Sequence, residues 1–152
     1  MEFYLVRHGE AKAEHEDPER PLSEKGRREV EQVARAAAQR GIQISEILHS
    51  DKLRAKETAE ILANSLSPWS GIREIKGLSP EDDPLVIKVE LESAKKPLML
   101  VGHLPHLARL ASLLITGDSE RQVIEFPPAA IACLSQAKGR WEIKWTLAPG
   151  TA

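Results

Sequence analysis

Apolar residues fall in short blocks along this chain, and two spacings alternate from block to block. Residues 3–6 are an unbroken apolar run that stops at Arg7-His8-Gly9, which predicts a buried strand ending on a glycine turn. Residues 10–22 are charged and carry Pro18 and Pro21, the signature of an exposed loop. Ser23 then stands where a helix cap is expected, and Val30, Val33, Ala34 and Ala37 recur at helical spacing until Gly41 ends the pattern. Residues 44–48 predict a second strand. Residues 51–66 predict a second helix with Leu53, Ala55, Ala59 and Leu62 on its apolar side.

The alternation continues towards the carboxyl terminus. A short strand is predicted over 72–75, a polar turn at Ser79-Pro80 and a helix over 85–91. Residues 98–101 form a fully apolar strand running into Gly102-His103, and the following helix carries Leu107, Leu110, Ala111 and Leu114. Residues 129–134 and 141–147 read as two strands joined at Lys138-Gly139, an antiparallel pair. Trp141 and Trp145 lie at even spacing, which predicts that both pack on one sheet face.

Strands alternating with helices imply a three-layer α/β/α sandwich around a mostly parallel central sheet, with an antiparallel margin near the C-terminus. The 152 residues suit a single domain over 1–152, large enough to bury a core without staples. The single Cys133 excludes an internal disulfide, fits a reducing compartment and sits among apolar residues as inert core. With 21 basic and 23 acidic residues the formal charge is −2, so no strong overall field favours nucleic acid or an anionic membrane. The amino terminus enters a strand without a signal-peptide pattern, and no apolar run approaches the about 20 residues that span a bilayer. These features lead to the expectation of a cytoplasmic monomer.

In open α/β sheets, ligands bind beyond the carboxyl ends of the strands. Three groups are predicted to reach that edge: Arg7-His8, the segment from Ser50 to Arg54, and His103. Arg54 falls in the first turn of a helix, whose free amides also favour anions. Each residue alone has an ordinary explanation as a cap or loop residue. Together they point to an anion site, because several cations gathered in one place repel unless an anion joins them. A histidine in such a pocket can attack phosphorus.

Arg7-His8-Gly9, the stretch Ser50-Asp51-Lys52-Leu53-Arg54-Ala55-Lys56-Glu57-Thr58-Ala59 and Val101-Gly102-His103 together resemble the histidine phosphatase superfamily, the phosphoglycerate mutase-like group. The short chain and Arg20-Pro21-Leu22-Ser23-Glu24-Lys25-Gly26 are similar to its SixA-type phosphohistidine phosphatase branch. The resemblance implies His8 as nucleophile, with Arg7, Arg54 and His103 binding the phosphate oxygens and Arg20 approaching from its loop. It implies no metal and no cofactor.

Mutase-like members supply a glutamate as proton donor from the loop after the third strand. Here that region reads Lys76-Gly77-Leu78-Ser79-Pro80-Glu81-Asp82-Asp83, with Glu81 and Asp82 as the candidate acids and a solvated acidic turn as the simpler reading. A phosphohistidine can expel neutral imidazole, whose conjugate acid has a pKa near ~6.5, and needs less help than an alkoxide. The expected partner is therefore a phosphohistidine-bearing protein. A phosphatase for small esters or anhydrides, and a non-catalytic phosphate-binding adaptor, stand as alternatives. His106, three residues after His103, lacks the carboxylates of a metal set, and His15 and His49 read as loop and strand-end residues.

Overall fold

A computed structural model describes residues 1–151 of the protein. Its six strands are β1 (Glu2–Arg7), β2 (Glu46–His49), β3 (Ile72–Glu74), β4 (Leu98–Gly102), β5 (Ile131–Ala137) and β6 (Arg140–Leu147). Four helices join them: α1 (Glu24–Gln39), α2 (Leu53–Leu66), α3 (Pro84–Ser93) and α4 (His106–Thr116). The strands form one sheet in the order β3-β2-β4-β1-β5-β6. The first four of these are mutually parallel, while β5 and β6 run antiparallel at one margin.

Alternate residues of the central strands divide the core in two. Tyr4, Val6, Ile47, Met99 and Val101 pack under α1 and α2, against Val30, Val33, Ala37, Ala59 and Leu62. Phe3, Leu5, Leu48 and Leu100 face the other way and pack under α3 and α4, against Ile87, Leu91, Leu107 and Leu110. Residues 3–6 are all buried because both faces of β1 are covered, which is why the sequence shows an apolar run there and no alternation. The three layers expected from the sequence are present.

Local chemistry sets the element ends. Ser23 caps α1 by accepting from the Gly26 amide at 3.0 Å. Asp83 caps α3 by accepting from the Leu85 amide at 2.9 Å, and Pro84 starts the helix with its φ already set. The β5–β6 turn places Lys138 and Gly139 at φ 54° and 76°, the left-handed pair that matches strand twist in a tight hairpin.

Several element ends differ from expectation, with β2 beginning at Glu46 and not at 44, α2 at Leu53 and not at 51, and β3 ending at Glu74 and not at 75, and two further differences have a visible cause. Strand β5 begins at Ile131 and not at residue 129, because Ala129 adopts φ 68° and turns its amide towards the end of β1. Trp141 and Trp145 lie on opposite faces of the sheet. A bulge shifts the register so that Cys133 pairs with Trp145 but Leu134 pairs with Ile143, leaving Lys144 as an extra residue that reverses the alternation. Trp141 stacks near Phe3 at 5.4 Å between centroids, whereas Trp145 lies near Tyr4 at 6.0 Å beneath the Arg40 guanidinium.

Candidate active site

Strands β1 and β4 are parallel neighbours, and the chain leaves them in opposite directions, to α1 on one face and α4 on the other. That divergence opens a crevice at their carboxyl ends, the usual ligand position in an open α/β sheet. His8 follows β1 and His103 follows β4. The His8 amide donates to the Gly102 carbonyl at 3.1 Å, joining the two strand ends, and the imidazole centroids stand 4.9 Å apart. From the other side the Ala129 amide donates to the carbonyls of Arg7 and His8 at 3.1 and 3.3 Å.

Helix α2 brings Arg54 to the same crevice. No side chain caps its amino terminus, so its first-turn amides keep their attraction for an anion. Thr58 ties this helix to the His8 turn: its hydroxyl donates to the Arg54 carbonyl at 2.8 Å and accepts from the Gly9 amide at 3.1 Å. Gly9 must be glycine for this fit, since a Cβ would stand 2.6 Å from Val30 Cγ2. The Arg7 guanidinium is aimed by a bond from Nη1 to the Phe126 carbonyl at 2.8 Å.

The His8 ring is oriented by its own turn. Its Nδ1 lies 2.7 Å from the Gly9 carbonyl, which can only accept, so Nδ1 carries the proton and Nε2 keeps its lone pair. Burial pushes the His8 pKa down to about 4, against that bond, and the nearby charges of Arg54, Arg7 and Arg20 lower it further. His103 is pushed down to about 3, first by burial and then by His8, Arg54, Lys52 and His106. Both imidazoles are therefore neutral at ordinary pH. Arg7 Nε, Arg54 Nε and His103 Nδ1 are buried without a hydrogen-bond partner. Unmatched donors gathered in one crevice are expensive unless an anion accepts from them.

Arg20 joins this group from the loop between β1 and α1. Its charge reaches both His8 and Arg54, and its Nε donates to the Lys12 carbonyl at 3.0 Å. The loop is anchored through Glu57 of α2, which accepts from the Leu22 amide at 2.8 Å and pairs with Arg27 at 3.2 Å. A groove of about 520 Å³ runs along this side, lined by Arg20, Lys52 and Arg54 with Glu14 and Asp51 among its walls.

The two candidate acids do not join the cluster. Glu81 is exposed and reaches Arg109 at 3.8 Å. Asp82 accepts from the Ser79 amide at 2.9 Å and lines a neighbouring groove of about 460 Å³ with Asp51, Asp83 and Val86. His106 is buried in the first turn of α4 with neither ring nitrogen partnered. Among the described residues, no three His, Cys, Asp or Glu side chains gather as a metal's ligand set. His15 is an exposed loop residue, His49 ends β2, and burial pushes the Cys133 thiol up to about 12. No described helix is long and apolar enough to cross a membrane.

Three supporting groups were given no role of their own from the sequence: Ser50, predicted only to reach the sheet edge with its segment, whose Oγ lies 2.6 Å from His103 Nε2, the Phe126 carbonyl, and Glu57, present only as part of a motif. Ser50 had a usable signal. It follows β2, which runs parallel beside β4, so a register pairing His49 with Val101 puts it level with Gly102-His103. Phe126 and Glu57 act across long sequence separations and had none.

The model of the histidine phosphatase superfamily (branch 1) matches residues 3–82. An uncharacterised protein of Picosynechococcus sp. is 37% identical over 127 residues, which are 78% of this chain and 76% of the relative. The phosphohistidine phosphatase SixA of Escherichia coli is 25% identical across 98% of this chain and 94% of its own. A solved structure of the protein histidine phosphatase SixA complexed with tungstate superposes with a TM-score of 0.86, at 25% identity, over 98% of this chain and 97% of the other. The paired imidazoles at the β1–β4 crevice and the likeness along nearly the whole chain agree, and the protein belongs to the histidine phosphatase superfamily, in its SixA-type branch.

Proposed function

We propose that the protein hydrolyses phosphoryl groups through a covalent phosphohistidine at His8, and that its substrate is phosphohistidine on another protein. The observation that carries this reading is the His8 ring: neutral, with Nδ1 protonated against Gly9 and Nε2 free beside Arg7, Arg54 and His103.

In the first step His8 Nε2 attacks phosphorus, and the bond from phosphorus to the substrate's imidazole nitrogen breaks. The leaving imidazole keeps the electron pair and departs neutral when its other nitrogen already holds a proton. Arg7, Arg54 and His103 donate to the three equatorial oxygens and stabilise the charge spread over them. In the second step water attacks phospho-His8 from the open side. The P–N bond breaks, Nε2 of the ring recovers its lone pair, and inorganic phosphate leaves with the water's oxygen and both of its protons. Arg20 holds the outer edge of the phosphate from its loop.

The placement of Glu81 and Asp82 favours phosphoramidate over ester. Glu81 lies exposed 3.8 Å from Arg109 and Asp82 accepts from the Ser79 amide, and neither is hydrogen-bonded to His8 or His103, which supports a leaving group that needs no positioned acid. Neutral imidazole, with a conjugate acid near ~6.5, leaves without one. The similarity to SixA supports the same choice. The partner in this reading is a phosphohistidine-bearing protein, and the expected site of action is the cytoplasm.

A substrate panel tests the proposal. Wild type should dephosphorylate a phosphohistidine protein faster than alkyl phosphates, and His8→Ala should be inactive on both. Equal turnover by His8→Ala rejects the mechanism. Efficient ester hydrolysis lost in Glu81→Gln or Asp82→Asn supports an ester phosphatase instead, and tight phosphate binding without turnover supports an adaptor.

A further inference from the structure

His103 Nε2 and Ser50 Oγ stand 2.6 Å apart, and both residues are almost wholly buried, at 2% and 1% exposure. Either atom could hold the shared proton. The remaining contacts of the hydroxyl decide which does. Ser50 Oγ also faces the Lys52 amide at 3.3 Å, and an amide N–H can only donate. If His103 Nε2 donated as well, the buried Ser50 proton would have no acceptor among the described residues, at the full desolvation cost of an unmade bond. If Ser50 donates to Nε2, both contacts of the hydroxyl are satisfied, Lys52 N–H to Ser50 Oγ and Ser50 O–H to the Nε2 lone pair, and the one group left unmatched is the ring's Nδ1–H.

A neutral ring that accepts at Nε2 carries its proton on Nδ1, which is buried without a partner. We propose that Ser50 is a positioning residue that holds neutral His103 in the Nδ1–H tautomer, so that the ring presents a donor to the phosphoryl group without being protonated. This deepens the phosphatase reading above and rests on it for its functional consequence, though the tautomer itself does not.

The assignment accounts for a requirement of the site. Burial and the surrounding cations push His103 down to about 3, so an imidazolium is not at hand to donate through either nitrogen. A free neutral imidazole prefers its proton on Nε2, the nitrogen that here faces Ser50. The hydroxyl reverses that preference. His8 and His103 then share one tautomer for opposite purposes: Nδ1–H of His8 is spent on Gly9 to free a nucleophilic Nε2, while Nδ1–H of His103 is kept for the phosphate.

Long-range proton–nitrogen correlation spectra of histidine-labelled enzyme read the tautomer directly, without activity. Wild type should show His103 protonated at Nδ1 and unprotonated at Nε2, and Ser50→Ala should shift it to Nε2–H. An Nε2–H wild-type ring, or an unchanged ring in Ser50→Ala, overturns the proposal. In turnover of a phosphohistidine protein, Ser50→Ala should lower kcat about tenfold or more with little change in KM, and Ser50→Thr should restore it, as expected for one donor aligned in the transition state. Thermal denaturation of both variants separates this from loss of fold: a folded Ser50→Ala with wild-type kcat also overturns it. If wild type turns over no phosphohistidine protein, the substrate assignment fails while the spectra still decide the tautomer.

Discussion

A phosphate pocket needs cations, yet cations suppress one another's charge and protonate no neighbour, and the residues here resolve that conflict by keeping both histidines neutral. Arg7 and Arg54 are lowered from their ordinary values by burial but remain the permanent charges of the site. Arg54→Lys keeps the charge and loses the planar fork that can meet two oxygens at once. On the proposed roles, Arg54→Ala should lower kcat by about 10²–10³-fold and Arg54→Lys by less, measured by steady-state turnover with a folded-state control. At this scale the sequence was legible for residues that face the phosphate, because a nucleophile and its arginines are chemically distinctive. It was silent on residues whose work is done through backbone, such as the Phe126 carbonyl behind Arg7, since any residue type supplies a carbonyl.

Between elements, the site depends on how closely α1 and α2 approach the end of β1. Gly26 in the first turn of α1 touches the Glu10 carbonyl so closely that a Cβ would collide with backbone and not with a side chain that can move. Gly26→Ala should therefore destabilise the protein by about 1–3 kcal/mol, the usual cost of overpacking, seen as a lower urea midpoint with unchanged slope. Because the same contact seats the Arg20 loop, the variant should also bind phosphate less tightly. Helical spacing located α1, α2 and α4 and apolar runs located β1 and β4, while the cap at Ser23 and the turn at Lys138-Gly139 were readable from residue type. The bulge at Lys144 was not. It puts Trp141 and Trp145 against opposite halves of the core, a result seen only once β6 is paired with β5.

For the whole molecule the two depressed histidines make stability depend on pH. Unfolded, both titrate near ~6.5, whereas folded they titrate at about 4 and about 3, so the unfolded chain binds more protons below neutrality. Their contribution is complete above pH ~6.5 and is lost as pH falls through the folded values, at up to about 1.4 kcal/mol per pH unit for each proton. Denaturation midpoints measured from pH 7 to 4 should fall on acidification, and His8→Ala should flatten that slope. Added phosphate should raise the midpoint, since it binds only the folded pocket. The three-layer order was visible in the alternation of strands and helices, and the family resemblance of three short motifs matched a likeness that extends along the chain.

On the proposed mechanism His8 itself carries the phosphoryl group between substrate and water. Rapid quenching during turnover of a phosphohistidine protein labelled on phosphorus tests it most directly. The expected outcome is an acid-labile, alkali-stable label that maps to His8, forms at least as fast as turnover and is absent in His8→Ala. Phosphate release at full rate with no label on His8, or with label retained in His8→Ala, would contradict it.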